Sequence, residues 1–176
     1  MAYHHLAMAA ADMAAIHNFY ETILGFELVK VEIGPVPDGG WAKHFFYRMA
    51  GDDSCFIAFW ELHEVPGCEN MDTALSRAAG VPDQINHIAF NASDLENLRQ
   101  RKNAWQSAGL TVLEVDHNWC RSIYTKDPNG NMVEFCVTTG AFSAEDRDLA
   151  LKALTSNQVS HSEPPASVEI HRPKSD

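Results

Sequence analysis

The sequence predicts an α+β fold in which two βαβββ modules form an incomplete barrel with helices outside, followed by a short C-terminal helix. Three observations carry this expectation. Asn86-His87-Ile88-Ala89-Phe90 echoes His4-His5-Leu6-Ala7-Met8, and Asp94 stands as far from His87 as Asp12 does from His5, the mark of an internal repeat. Each copy runs on into a helical pattern closed by a glycine, Gly25 or Gly109. Asp127-Pro128-Asn129-Gly130 separates two alternating runs and reads as a hairpin turn, because proline fixes its own φ and Asn-Gly tolerates positive φ. Sheets of four strands twist, so two such units side by side would leave an inner face shaped as a cup.

In the first module, residues 1–62, the run Tyr3 to Ala9 alternates as a strand. Asp12 is the N-cap of a helix reaching Thr22 or Leu24, with Met13, Ile16, Phe19, Tyr20 and Ile23 as its apolar stripe. Strands follow over Phe26–Ile33, Trp41–Met49 and Cys55–Glu61, joined by the loop Gly34–Gly40 and the turn Gly51-Asp52-Asp53-Ser54. Residues 63–83 read as a connector with a short helix around Met71–Ala78. The second module, 84–139, repeats the order: a strand at Asn86–Phe90, a helix over Leu95–Ala108, a strand over Leu110–Asp116, then the hairpin Ile123–Thr125 and Met132–Val137. Residues 140–154 hold a helix opened by Ser143 with Asp146 in a capping box, and the polar tail 155–176 is expected to be disordered.

Composition narrows the function. The chain has 176 residues, 45% of them hydrophobic, enough for a packed core, and a formal net charge of -11 that repels nucleic acid and anionic membrane. No apolar stretch approaches membrane-spanning length and no leader-like start is present, so a cytoplasmic protein is expected. The four cysteines, without a Cys-x-x-Cys pair, are expected to be free thiols.

The chemistry gathers on the returning hairpin and the first strands of the repeats. Alternation places Met132, Glu134 and Cys136 on one strand face and the apolar Val133, Phe135 and Val137 on the core face, so Glu134 points away from the core. His5 and His87 occupy equivalent strands and are candidates to converge across the cup with Glu134. Two imidazoles and one carboxylate are the smallest protein set for an iron(II) site with open positions, and the same set holds manganese, nickel or zinc. The counterpart of Glu134 in the first repeat is about Ala58, which cannot coordinate.

These residues resemble the vicinal oxygen chelate superfamily, which includes glyoxalase I, fosfomycin-modifying enzymes, bleomycin-binding proteins and type I extradiol dioxygenases. The resemblance rests on His5-Leu6-Ala7-Met8 with Asp12, on Phe19-Tyr20 to Leu24-Gly25-Phe26, on Asn86-His87-Ile88-Ala89 and on Asp127-Pro128-Asn129-Gly130 to Glu134. It implies His5, His87 and Glu134 as metal ligands. His117, five residues, Ile123-Tyr124, two residues, Asp127-Pro128, one residue, Gly130, three residues and Glu134 is similar to the extradiol ring-cleavage signature. That similarity implies that His117 and Tyr124 sit beside the metal, where imidazole and phenol can steady developing oxygen charge. The family's acid-base histidine has no match here, since Ser54-Cys55-Phe56 occupies its place; His44, one strand earlier, is the substitute, with Lys43 expected beside it toward the cup. Trp41 and Trp119 are candidate pocket walls.

The expectation is therefore an iron(II)-dependent dioxygenase-like enzyme acting on an aromatic diol with dioxygen, with Mn(II), Ni(II) or Zn(II) as other metals and a homodimer by family analogy. A glyoxalase-type isomerase or thiol transferase, and a metal-free aromatic-ligand binding protein, are the alternatives.

Overall fold

The computed structural model describes residues 3–49, 54–158 and 161–174. The expected turn at 51–54 falls largely outside them. The first repeat comprises β1 (His5–Ala9), α1 (Met13–His17), β2 (Glu27–Pro35), β3 (Trp41–Arg48) and β4 (Phe56–His63). After α2 (Leu75–Ala78), the second comprises β5 (His87–Asn91), α3 (Leu95–Ser107), β6 (Val112–Asp116), β7 (Cys120–Lys126) and β8 (Met132–Thr138). α4 (Ala144–Ala153) and β9 (Ser167–His171) complete the chain. The architecture is α+β, with sheets ordered β1-β4-β3-β2 and β5-β8-β7-β6-β9. No helix among the described residues is long and apolar enough to cross a membrane.

The helix starts form where the sequence supplies caps. Asp12 Oδ1 accepts from Ala15 N at 3.0 Å, and Asp94 Oδ1 accepts from Asn97 N at 2.7 Å, each satisfying an amide that the helix leaves orphaned. Ser143 and Asp146 form the expected capping box of α4. The first helix departs from the expected α pattern: after His17 it widens into a π-helix over Asn18–Ile23, with Leu24 N donating to Phe19 O at 3.0 Å. The widened turn buries Phe19 and Tyr20, which adjoin in sequence, together with Ile16.

The chain divides into two compact units, Met1–Ile88 with Thr125–Val133, and Ala89–Tyr124 with Glu134–Asp176. In the first, β1 pairs parallel with β4, and β4 and β2 flank β3 antiparallel. One face of that sheet gives Met8, Tyr47, Ile57 and Phe59 to a core closed by Ile16, Phe19 and Tyr20, with Tyr20 and Phe59 ring centroids 4.7 Å apart. In the second unit Phe135 is the centre, 5.4 Å from Phe90 and 5.7 Å from Trp105 of α3 by ring centroids.

The hairpin tip of the second repeat belongs to the first unit, as a buried polar plug. Gly130, at φ +87, closes the turn by donating its N–H to Asp127 O at 2.9 Å. Its missing Cβ leaves room for the Arg77 guanidinium, which would otherwise stand 2.7 Å away. Tyr20 Oη donates to Asp127 Oδ2 at 3.0 Å, and Asn129 Nδ2 donates to Ala9 O at 2.9 Å while its Oδ1 accepts from Ala11 N at 3.1 Å. Asn131 Oδ1 accepts from Leu75 N at 2.8 Å. Burial raises the pKa of the Asp127 carboxyl, against the pull of the Asn131, Tyr20 and Asn129 donors.

The tail expected to be disordered carries β9, antiparallel to β6 from Val112↔His171 to Asp116↔Ser167. Its apolar residues give no warning of this, because Val168 and Ile170 remain 60% and 71% exposed. Backbone pairing and polar contacts hold the strand: His171 Nε2 lies 2.8 Å from Glu114 Oε2, and Gln106 Nε2 donates to Arg172 O at 2.7 Å.

Candidate functional site

In the second unit, β7 presents Cys120, Ser122 and Tyr124 on one face, and β8 presents Glu134 and Cys136. Asp127 pairs with Asn131 at the turn, and Thr139 N donates to Trp119 O at the far end of the hairpin. That register sets Tyr124 opposite Glu134, and their side chains are hydrogen bonded. Glu134 is only 5% exposed. Alternation put it off the apolar core, and the structure buries it nonetheless.

Tyr124 Oη lies 3.0 Å from His117 Nε2 and is also hydrogen bonded to Ser122. Burial drives its pKa well above that of an ordinary tyrosine; the Ser122 bond lowers it, and Glu134 raises it further. A phenol has one proton. With that proton directed at Glu134, Ser122 and His117 Nε2–H donate to the phenol oxygen, which places the remaining imidazole lone pair on Nδ1. The structure therefore brings together the predicted His117, Tyr124 and Glu134. Ser122, fully buried, is a member that the sequence reading missed. Its signal was the shared alternation with Tyr124 on one strand.

The thiols extend this face. The Cys120 pKa is pushed up to about 11 by burial and by the neighbouring Cys136 thiol. Among the described residues no cysteine forms a disulfide.

The predicted His5, His44 and His87 lie in the first unit. The β1, β4 and β3 pairings set His5, Phe56, Phe46 and His44 on one sheet face. The His5 and His44 ring centroids are 6.2 Å apart, and Trp60 stacks on His44 at 3.7 Å and 11°. His44 is 6% exposed, and among the described residues its Nε2 has no hydrogen-bond partner. Burial and nearby His5 lower its pKa, against the attraction of Glu32. Lys43 does not accompany it. One residue away along a strand means the opposite face, where Lys43 Nζ bonds Glu61 at 2.8 Å. Trp41 stacks on His63 at 3.9 Å and Trp119 meets Phe142 at 5.2 Å, so the tryptophan beside a predicted site residue is Trp60. A cavity of about 550 Å³ opens on the His5 face, lined by His4, His5, Phe46 and Phe56 among others.

Two imidazoles and a carboxylate are donor types that a divalent metal takes. His87 Nδ1 lies 3.2 Å from Gln84 O, so this nitrogen carries the proton and Nε2 the lone pair. His5 Nδ1 lies 2.8 Å from His4 Nδ1, a contact in which one ring donates to the other. Ala58 is fully buried and offers no further ligand. A separate cluster, Glu114, Glu169 and His171, brings donor atoms within 4.8 Å in the second unit, but Lys102 Nζ already bonds Glu114 at 2.7 Å. It reads as the clasp on β9.

The family model of the Glyoxalase/Bleomycin resistance protein/Dioxygenase superfamily matches residues 2–135. Biphenyl-2,3-diol 1,2-dioxygenase 2 of Rhodococcus globerulus is 25% identical over 147 residues, 83% of this chain and 66% of that protein, so the chain spans just under two thirds of its length. The "Probable trivalent organoarsenical cleaving enzyme" of Bacillus subtilis (strain 168) is 25% identical over 153 residues, 84% of this chain and 88% of that protein. Among solved structures, a glyoxylase/bleomycin resistance protein/dioxygenase domain from Frankia sp. EAN1pec aligns with a TM-score of 0.61 at 12% identity, covering 78% of this chain and 98% of the other.

Proposed function

Because the chain belongs to the glyoxalase/bleomycin resistance protein/dioxygenase superfamily, we propose that it is a divalent-metal enzyme of the extradiol type, opening an aromatic diol with dioxygen. His5, His87 and Glu134 hold the metal in this reading, iron(II) first among the candidates. Bound there, the metal would supply Lewis acidity toward the diol and one-electron chemistry toward dioxygen.

The observation that carries the reading is the His117–Tyr124–Glu134 chain, with 3.0 Å between His117 and Tyr124. Tyr124 keeps its proton at neutral pH and presents it as a hydrogen-bond donor beside Glu134. His117 steadies the phenol oxygen and can pass it a proton as charge develops nearby. His44 serves as the acid-base histidine of the opposite repeat, its ring orientation fixed by Trp60 and Phe46. The rings of Phe46 and Phe56 suit an aromatic substrate by stacking. A homodimer is the working assembly in this reading, checked by light scattering.

The test is anaerobic reconstitution with iron(II) followed by a panel of catechols in air, monitored for yellow ring-cleavage products. Turnover with iron supports the proposal. Activity with nickel or zinc and none with iron sinks it and favours an isomerase or thiol transferase.

A further inference from the structure

We infer that β9 supplies the apolar end of the candidate site, and that the diol bound there carries a linear alkyl chain lying across Leu113 onto Ile170. The inference rests on the reading of Tyr124 and Glu134 as the diol end of that site. Residues directly paired on antiparallel strands present their side chains on one face. Leu113 pairs with Tyr124 on one side and with Ile170 on the other, and Val115 pairs in the same way with Ser122 and Val168. With Tyr124 opposite Glu134, the row Glu134, Tyr124, Leu113, Ile170 crosses β8, β7, β6 and β9 on a single face. Ile170 stands two strand spacings, about 10 Å, from Tyr124.

The helix α3 lies on the other face of the sheet, where Lys102 bonds Glu114 at 2.7 Å and the Trp105 ring meets that of Phe135 at 5.7 Å. Glu114 and Phe135 each stand one residue along a strand from a member of the row, which leaves the row facing away from α3. The face changes character partway across. Its β8 and β7 half carries the Glu134 carboxylate, the Tyr124 phenol and the Ser122 hydroxyl, whereas its β6 and β9 half carries Leu113, Val115, Val168 and Ile170. Val115 is buried and Leu113 half-buried, but Val168 and Ile170 stay largely exposed. A face that is polar at one end and aliphatic at the other suits a ligand of the same build. The aliphatic half offers no aromatic ring to stack on, so the complementary substituent is a chain rather than a second ring. Each methylene that such a chain buries there strengthens binding by about fourfold.

Catechol, 4-butylcatechol and 4-hexylcatechol are the probes, each titrated calorimetrically into the full-length protein without added metal. Affinity should rise along the series, with the hexyl compound bound at least about tenfold tighter than catechol. The double variant Val168→Thr/Ile170→Thr keeps the β-branched shape that strands favour and should cut that ratio by about fivefold or more. Leu95→Ser, which removes an exposed leucine of α3, should leave the ratio as it is. Hydrogen exchange at Ser167–His171 confirms that β9 stays paired in both variants. A flat series, or an undiminished ratio in the double variant, would overturn the proposal. A flat series in a protein that the double variant converts from dimer to monomer by light scattering would overturn it in favour of a face between two copies. Binding is read without turnover. A chain preference without ring cleavage therefore supports this inference while the ring-cleavage reading fails, and ring cleavage without a chain preference does the reverse.

Discussion

The phenol oxygen of Tyr124 is 3.0 Å from His117 Nε2 and is hydrogen bonded to Glu134 on the facing strand. One side chain thus ties a predicted proton-transfer residue to a predicted metal ligand. Tyr124→Phe removes the phenol while keeping the ring, so the fold should hold. Turnover of a catechol should drop by about 10²–10⁴-fold, the range of general acid-base groups, while metal content stays constant. Single-turnover kinetics on iron-loaded protein checks this. Unchanged turnover would remove Tyr124 from the chemistry.

Glu134→Ala should lose bound metal, as should His5→Ala and His87→Ala, each by about 10-fold or more in affinity. Elemental analysis after equilibration with limiting iron(II) reads this out. Retention of full metal content in Glu134→Ala would show that the carboxylate is structural.

Substitution of His44 by Asn keeps a polar hydrogen-bonding side chain beside Trp60 without a titratable nitrogen. The expected outcome is a lower kcat, an altered pH–rate profile and unchanged metal binding. A change in KM alone would assign His44 to substrate packing instead.

Tyr20→Phe removes the buried donor to Asp127 Oδ2. Leaving that carboxylate a partner short should cost about 1–3 kcal/mol, seen as a lower denaturant midpoint at unchanged m-value. Because Asp127 has a raised pKa when folded, its contribution is full at acid pH, below the ordinary value of 3.8, and is lost as pH rises through the folded value.

The β9 clasp should have the opposite pH sense. Burial raises the Glu114 pKa, but Lys102 and His171 outweigh it, and the net shift is downward from 4.5. A carboxyl depressed in the folded state contributes stability above its unfolded pKa and loses it as pH falls through the folded one. Hydrogen exchange of Ser167–His171 should therefore accelerate, relative to that of β8, as pH drops below 4.5. Equal protection across that range would place the strand's hold in its backbone pairing alone.

What the sequence disclosed was whatever is local or repeated. Asp12, Asp94 and Ser143 announce their helices because a cap acts within three residues. His5 and His87 mark equivalent strands because the repeat copies them. Strand alternation alone put Glu134 and Cys136 on one face. The π-widening at Asn18–Ile23 was hidden, since the apolar spacing through Phe19, Tyr20 and Ile23 suits an α-helix equally well. The strand at Ser167–His171 was hidden because it buries no apolar stripe and is held by the pairing of backbone groups, which no side chain encodes. Ser122 passed as an ordinary strand residue. Its role depends on a hydroxyl meeting a phenol two residues away.

The clasped tail also shields an otherwise open flank. Cut after Leu154, the chain would present β6 with its outer row of amides and carbonyls unmatched, a template on which a second molecule could add its own strand. The last segment thus covers the β6 edge, and trimming it as surplus would invite self-association through the very sheet that carries Tyr124 and Glu134.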